Sequence, residues 1–204
     1  ASYDDDTIAW YENGNNWLKT AVSTTADGTK SVYAADMDGD GDIDIIAASY
    51  LDDTIAWYEN GNAWAETPIS TTADGTNSVY AADLDGDGDM DVLAASYNNA
   101  AWYENGNAWA KTTISTDGAN SIHAADMDGD GDMDVLSVSS NSDTVAWYEN
   151  GNAWAQTTVS TIPDYPRSVY AADMDGDGDM DVLSASSNDD TIAWYRNAPD
   201  SDGD

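Results

Sequence analysis

The sequence predicts an all-β protein built from repeated units of four antiparallel strands. One nine-residue aspartate-rich segment occurs four times, at residues 36–44, 83–91, 126–134 and 173–181. Successive copies start about 45 residues apart, and each lies between short segments rich in valine, isoleucine, alanine and serine that are typical of strands. Repeats of this length with several short strands each are typical of propeller blades. The expected fold is therefore a β-propeller of about four blades, each a four-stranded antiparallel sheet.

The aspartate-rich segments predict calcium sites. Each has aspartate at positions 1, 3, 5, 7 and 9, and glycine at positions 4 and 6. Like charges this close repel one another unless a cation lies between them, and Ca²⁺ accepts six to eight oxygen ligands in a flexible shell. Glycine lets the backbone curl tightly around an ion. We predict about four Ca²⁺ ions, held by Asp36, Asp38, Asp40, Asp42, Asp44, Asp83, Asp85, Asp87, Asp89, Asp91, Asp126, Asp128, Asp130, Asp132, Asp134, Asp173, Asp175, Asp177, Asp179 and Asp181.

These segments begin like EF-hand loops but differ from them in two respects. An EF-hand loop needs a bidentate glutamate at position 12 and helices on both sides. Position 12 here is Ala47, Ala94, Ser137 or Ser184. The flanking residues, such as 31–35 and 45–49, form short apolar runs that favour strands. We therefore expect each calcium loop to join two β-strands.

One repeat is expected to contain strands A to D in chain order. In the first full repeat, strand A covers 31–35, strand B 43–49, strand C 54–59 and strand D 62–69, and the calcium loop joins A to B. The whole chain, 1–204, then forms a single repeat domain. Its expected units are 1–22 (strands C and D only), 23–70, 71–115, 116–160, 161–197 (without strand D) and a tail at 198–204. The chain begins inside a repeat, as expected of a piece of a longer precursor.

The connection between strands C and D contains Asn60-Gly61, a strong signal for a two-residue hairpin turn. Such a turn would pair Trp57 with Trp64 across the hairpin. The same arithmetic pairs Glu59 with Asn62, Tyr58 with Ala63, Trp10 with Trp17, Trp102 with Trp109, and Trp147 with Trp154. Because every complete hairpin keeps both tryptophans, we interpret them as packing residues rather than sugar-stacking platforms.

The charge excludes several classes of partner. The chain has 40 acidic and five basic residues, for a net charge of −35. Four calcium ions would still leave about −27, a surface that repels nucleic acid and anionic membranes. No apolar run approaches the ~20 residues of a membrane span, so no membrane insertion is expected. The sequence has no cysteine, so calcium loops would replace disulfides as cross-links.

Catalysis is not predicted. The single histidine, His123, occupies the strand A position held by Tyr33, Tyr80 and Tyr170 in the other repeats, which favours a packing role. The sequence shows no nucleophile–base pair and no glycine-rich phosphate loop. Its paired carboxylates lie in the metal loops, where ionised ligands are needed. A polysaccharide-degrading enzyme domain stays as an alternative, because some polysaccharide lyases also use calcium-loop propellers.

The motif Ser-Val-Tyr-Ala-Ala-Asp-Met-Asp-Gly-Asp-Gly-Asp-Met-Asp-Val-Leu resembles the FG-GAP, or VCBS-type, repeat. Integrin α-subunit propellers and a fungal propeller lectin carry similar repeats. The resemblance covers almost the whole chain and implies a β-propeller with Ca²⁺ between strands A and B. It also implies that side chains at positions 1, 3, 5 and 9 bind the ion and that position 7 contributes its backbone carbonyl. Two features depart from the family pattern: Phe-Gly is absent, and Ala-Ser-Tyr replaces Gly-Ala-Pro.

Two functions are expected from these features. The first is an extracellular binding or adhesion module for a glycan or protein ligand, bound at grooves between blades. Tyr50, Tyr97 and Tyr165 are candidate contact residues for it. The second is a structural subunit of an extracellular oligomer or filament. In that case the N-terminal hairpin, residues 7–22, would self-associate by completing the last sheet of a neighbouring subunit, which lacks strand D.

Overall fold

A computed structural model describes residues 1–197 of the chain. These residues form seventeen β-strands and no helix, so none of them forms a helix able to cross a membrane. The predicted tail, 198–204, lies outside the described residues. The strands are β1 (Ile8–Glu12), β2 (Leu18–Ser23), β3 (Thr29–Ala35), β4 (Asp44–Ser49), β5 (Thr54–Glu59), β6 (Ala65–Ser70), β7 (Ser78–Ala82), β8 (Asp91–Ser96), β9 (Asn99–Glu104), β10 (Ala110–Ser115), β11 (Ser121–Ala125), β12 (Asp134–Ser139), β13 (Thr144–Glu149), β14 (Ala155–Ser160), β15 (Pro166–Ala172), β16 (Asp181–Ser186) and β17 (Thr191–Tyr195).

The strands form five antiparallel sheets in chain order. A two-stranded hairpin, β1-β2, precedes the four-stranded sheets β3–β6, β7–β10 and β11–β14, and a three-stranded sheet, β15–β17, follows them. Within each sheet, every strand pairs with its neighbour in sequence. The prediction of an all-β chain of repeated four-stranded antiparallel sheets is confirmed. The described residues give two strands in the first sheet and three in the last, and the predicted unit boundaries stay a prediction.

The predicted hairpin register is wrong. Trp57 pairs with Thr67 and Glu59 pairs with Ala65, so Trp57 does not face Trp64. The connection runs through residues 60–64, and Ala63 and Trp64 adopt φ values of 54° and 57°. A two-residue turn needs positive φ only at its two central residues. Here further left-handed residues lengthen the connection, so strand D starts at Ala65 instead of residue 62. The other hairpins repeat this: Trp10 pairs with Thr20, Trp102 with Thr112 and Trp147 with Thr157.

The tryptophans instead connect neighbouring repeats. The rings of Trp102, on β9, and Trp154, in the following repeat, meet edge to face with centroids 6.1 Å apart. Trp57 and Trp109 likewise pack against one core between two sheets. The predicted packing role is therefore correct, but the partner belongs to the next repeat.

Successive sheets pack face to face through apolar cores. Ile46 and Ile55 of one sheet share a core with Val79 and Val92 of the next, and similar cores join the later sheets. The N-terminal hairpin packs onto the first four-stranded sheet through Ile8. Both faces of the internal sheets are therefore covered, which explains why their central strands are apolar on both sides.

The A strands, β3, β7, β11 and β15, form one row, each in contact with the next. Their aromatic side chains stack in sequence from Tyr33 to Tyr80, His123 and Tyr170, with centroids 4.6, 4.6 and 4.5 Å apart. The predicted packing role of His123 is confirmed. Burial lowers the pKa of its imidazole, which favours the neutral ring.

Candidate metal centres

The four aspartate-rich loops have closely similar geometry because the same backbone bonds recur in each. In the first loop, Asp36 accepts hydrogen bonds from the amides of Gly39 (2.9 Å) and Gly41 (3.0 Å). The two glycines adopt φ values of 74° and 94°, a region that glycine occupies without steric cost. The carboxylate at position 1 thus closes the loop. The same pair of bonds recurs at Asp83, Asp126 and Asp173.

The aspartate at position 9 anchors each loop to the sheet. Asp91 is 1% exposed. Its Oδ2 accepts from the amide of Leu84 (3.1 Å), inside the loop, and its Oδ1 accepts from the amide of Asn105 (2.7 Å), at the end of strand C. Burial raises the pKa of Asp91 to about 6, and that of Asp134 likewise. Ionising these groups is therefore unfavourable unless a cation lies beside them.

Carboxylates from each loop converge. In every loop, three carboxylate oxygens from different aspartates lie within 4.8 Å of one another. The groups are Asp36, Asp38 and Asp40; Asp83, Asp85 and Asp91; Asp126, Asp128 and Asp134; and Asp173, Asp175 and Asp181. All-oxygen donors in a flexible loop suit Ca²⁺. Each loop can therefore hold a metal ion.

Positions 1 and 3 belong to every cluster, with position 5 in the first loop and position 9 in the others. Position 7 lies outside all of them, and its side chain is exposed in the first three loops and half-buried in the fourth. The amide of Asp42, for example, donates to Asp40 (2.8 Å). Binding of the ion through the main chain of position 7, which the family pattern implies, stays a prediction. The assignment of all twenty aspartates to calcium stays a prediction.

The fourth loop carries a feature that sequence reasoning missed. Arg196 contacts Asp175 (2.6 Å) and Asp177 (3.2 Å). Glu59, Glu104 and Glu149 occupy the same place in the other repeats. The backbone amide of Asp179 and then Arg196 hold the pKa of Asp177 below its usual range. The sequence signal for this contact was that Arg196 replaces the glutamate found at the same position of the other repeats.

Three asparagines that directly follow a strand C also bond to the preceding repeat. The Nδ2 of Asn105 donates to the carbonyl of Met37 (2.9 Å), in the aspartate-rich loop of the preceding repeat, and to the carbonyl of Met90 (3.1 Å) in its own. Asn150 and Asn197 make the corresponding bonds to Leu84 (2.7 Å) and Met127 (2.9 Å). These bonds link each of the first three aspartate-rich loops to the following repeat.

Two concave surfaces lie at opposite ends of the A strands. At the loop end, a groove of about 430 Å³ separates the second and third metal loops and is lined by Leu84, Met90 and Met133, among others. At the other end, a depression of about 150 Å³ brings together Tyr50, Tyr97 and Tyr165, the three tyrosines singled out as ligand contacts.

Comparison with known proteins identifies the repeat. Residues 1–47, 36–94, 83–137 and 126–184 match the FG-GAP-like repeat. No protein of curated function matches the sequence significantly.

Several solved structures share the fold. The biofilm matrix protein Bap1 of V. cholerae is 22% identical, with a TM-score of 0.61 over 92% of this chain and 33% of its own. A lectin of Agrocybe aegerita that recognises non-reducing terminal N-acetylglucosamine is 19% identical, with a TM-score of 0.51 over 86% and 50%. An auxiliary nutrient binding protein from Bacteroides thetaiotaomicron is 8% identical, with a TM-score of 0.60 over 95% and 58%. The chain spans between a third and somewhat over half the length of these proteins.

Proposed function

The chain belongs to the FG-GAP-like repeat family, and on that premise we propose that it is a non-catalytic extracellular binding or adhesion module. Its fold in this proposal is a calcium-stabilised β-propeller, with 1–204 as one repeat domain and a carbohydrate as the ligand class. The observation that carries the proposal is the regular array of four carboxylate clusters, of which the first three are each linked to the following repeat. Such an array makes ion binding a condition for a rigid ligand surface.

Calcium has an energetic role in this proposal. A site whose dissociation constant is one hundredth of the calcium concentration stabilises the folded state by about 2.7 kcal/mol. Four such sites would supply most of the ~5–15 kcal/mol of a typical domain. Removal of calcium with EDTA should therefore lower the melting temperature sharply. Mg²⁺ should restore it poorly, because Mg²⁺ demands tight octahedral geometry. An unchanged melt after chelation would contradict the calcium role.

The binding role is supported by the inter-repeat groove and by two structural neighbours, a biofilm matrix protein and a lectin. A glycan array probed with the calcium-loaded protein tests it, and we expect discrete saccharide hits that disappear in EDTA. An array without hits, from protein with an intact melt, would remove carbohydrate from the proposal.

A structural subunit assembled by strand exchange is the second candidate. Among residues 1–197 the last sheet has three strands, and Ile192 and Trp194 on β17 are 85% and 49% exposed. Trp17 and Leu18, at the other end of the array, are 63% and 58% exposed. Apolar surface at both ends is typical of association sites. Sedimentation of the calcium-loaded protein tests this candidate, since concentration-dependent oligomers are expected and a monomer at all concentrations would exclude it.

A further inference from the structure

The depression at the amino-terminal ends of the A strands differs in charge from the rest of the molecule. The sequence has 40 acidic and five basic residues, yet none of the described residues that line the depression is acidic. Two of the five basic residues, Lys30 on β3 and Arg167 on β15, line it together. They come from the first and last of the four A strands, so the fold itself brings these two positive charges to one place.

Both cations are held in position. The ammonium of Lys30 lies 3.2 Å from the ring centroid of Tyr50 and donates to the Oδ1 of Asn77 (2.9 Å). The guanidinium of Arg167 lies 4.2 Å from the centroid of Tyr165. An aromatic face attracts a cation without neutralising it. Partial burial, and then the nearby Arg167, lower the pKa of Lys30. The two cations therefore interact unfavourably, and a bound anion would relieve that repulsion.

The remaining lining suits a hydroxylated ligand. Asn120, Asn141 and Ser140 contribute amide and hydroxyl groups, which can both donate and accept hydrogen bonds. Tyr97 is 57% exposed and offers an open aromatic ring beside them. The volume, about 150 Å³, is of the order of one sugar ring.

We propose that this depression binds a carboxylate-bearing sugar residue, such as a uronic acid, through Lys30 and Arg167. The charge of the chain restricts the ligand further. A long polyanion would extend over the surrounding acidic surface, which repels it wherever the charges come within about 8 Å, the screening length at physiological salt. A single carboxylate inside the depression faces Lys30 and Arg167 and, among the described lining residues, no acidic one. This inference rests on the proposed carbohydrate-binding function and assigns it a site and a ligand class.

Titration of the calcium-loaded protein with trigalacturonate, followed by isothermal calorimetry and amide NMR shifts, tests the inference. The fully methyl-esterified trimer is the matched ligand, because it has the same sugars without the charge. We expect the ester to bind at least about tenfold more weakly, since charge-assisted hydrogen bonds are roughly twice as strong as neutral ones. Acetate and triglutamate should compete weakly.

The variant K30Q/R167Q should weaken trigalacturonate binding by at least about tenfold. The control K19Q/K111Q makes the same charge change at exposed residues away from the depression, and it should change affinity by less than about twofold. A calcium-loaded melt checks that both variants fold. Equal binding of acid and ester, unaltered binding by K30Q/R167Q, or tight competition by acetate or triglutamate would overturn the site assignment. In those cases saccharide hits on the array would leave the binding function standing. Absence of binding to every saccharide would overturn both.

Discussion

Replacing Asp91 with alanine tests whether the buried aspartate of a metal loop serves both the sheet and the ion. The Asp91 carboxylate accepts from two backbone amides, those of Leu84 and Asn105, and is 1% exposed. Each buried donor left without an acceptor costs about 1–3 kcal/mol. With calcium bound, the variant should therefore lose roughly 2–6 kcal/mol of unfolding free energy, plus the contribution of one weakened calcium site.

The same substitution should cost much less without calcium. In the ion-free protein the pKa of Asp91 rises from 3.8 to about 6, so at pH 7 its ionisation disfavours folding by about 3 kcal/mol. Alanine removes that cost along with the hydrogen bonds. The two effects oppose each other, and the loss in EDTA should be smaller than in calcium by at least about 3 kcal/mol, the ionisation cost, because the calcium-site contribution is also absent in EDTA.

The pH dependence in EDTA has a definite sign. Because the folded pKa of Asp91 is raised, the destabilisation is fully present above about pH 6 and disappears as the pH falls towards the unfolded value. The stability of the wild-type protein relative to Asp91→Ala should therefore increase from pH 7.5 to pH 5.

The assay is urea unfolding monitored by tryptophan fluorescence. It is run once with about 1 mM CaCl₂ and once with EDTA. Asp89→Ala is the control, since Asp89 has the same charge in the same loop but an exposed side chain outside the carboxylate cluster. It should change stability by less than about 0.5 kcal/mol in EDTA. An equal loss for Asp91→Ala in calcium and in EDTA would refute the dual role.

Three further predictions concern other contacts. Asn105→Ala should cost about 1–2 kcal/mol more than Asn60→Ala in urea unfolding, because only Asn105 bonds to a preceding metal loop; equal costs would contradict the inter-repeat role. His123→Tyr should reduce the loss of melting temperature between pH 7.5 and 5.5 in saturating calcium. Burial lowers the pKa of His123, so just below about pH 6.5 the unfolded chain takes up a proton that the folded chain does not. An equal fall in melting temperature for the wild-type protein and the variant would contradict this role of His123. Arg196→Glu removes a cation from the fourth loop, so it should tighten the weakest calcium site measured by calorimetry by about fivefold, roughly 1 kcal/mol. Four wild-type sites of equal affinity would contradict this expectation.

The sequence was sufficient to predict the strands and metal loops because their signals are local. Alternating aspartates with glycines at positions 4 and 6 determine a loop whatever surrounds it, and the apolar runs beside it can only be covered by neighbouring sheets. The register of the C–D hairpin was not predictable in this way. Asn60-Gly61 is normally decisive, but Ala63 and Trp64 adopt positive φ values that their types disfavour.

The missed contacts all join distant parts of the chain. Nothing near Asn105 in the sequence points to Met37, and the meeting of Lys30 with Arg167 depends on how four sheets are arranged. Arg196 was recognisable as an exception to the repeat, but its contact with Asp175 and Asp177 required the geometry.

Because the tryptophan and asparagine contacts cross from one repeat to the next, no unit holds its own complete set of partners. The stability of the array then depends on the interfaces between repeats, and it increases with the number of interfaces rather than with the number of repeats. Melting should advance inward from either terminus, one sheet after another, while the middle of the array stays ordered longest. Hydrogen exchange would record this as a gradient of protection that peaks at β7–β14.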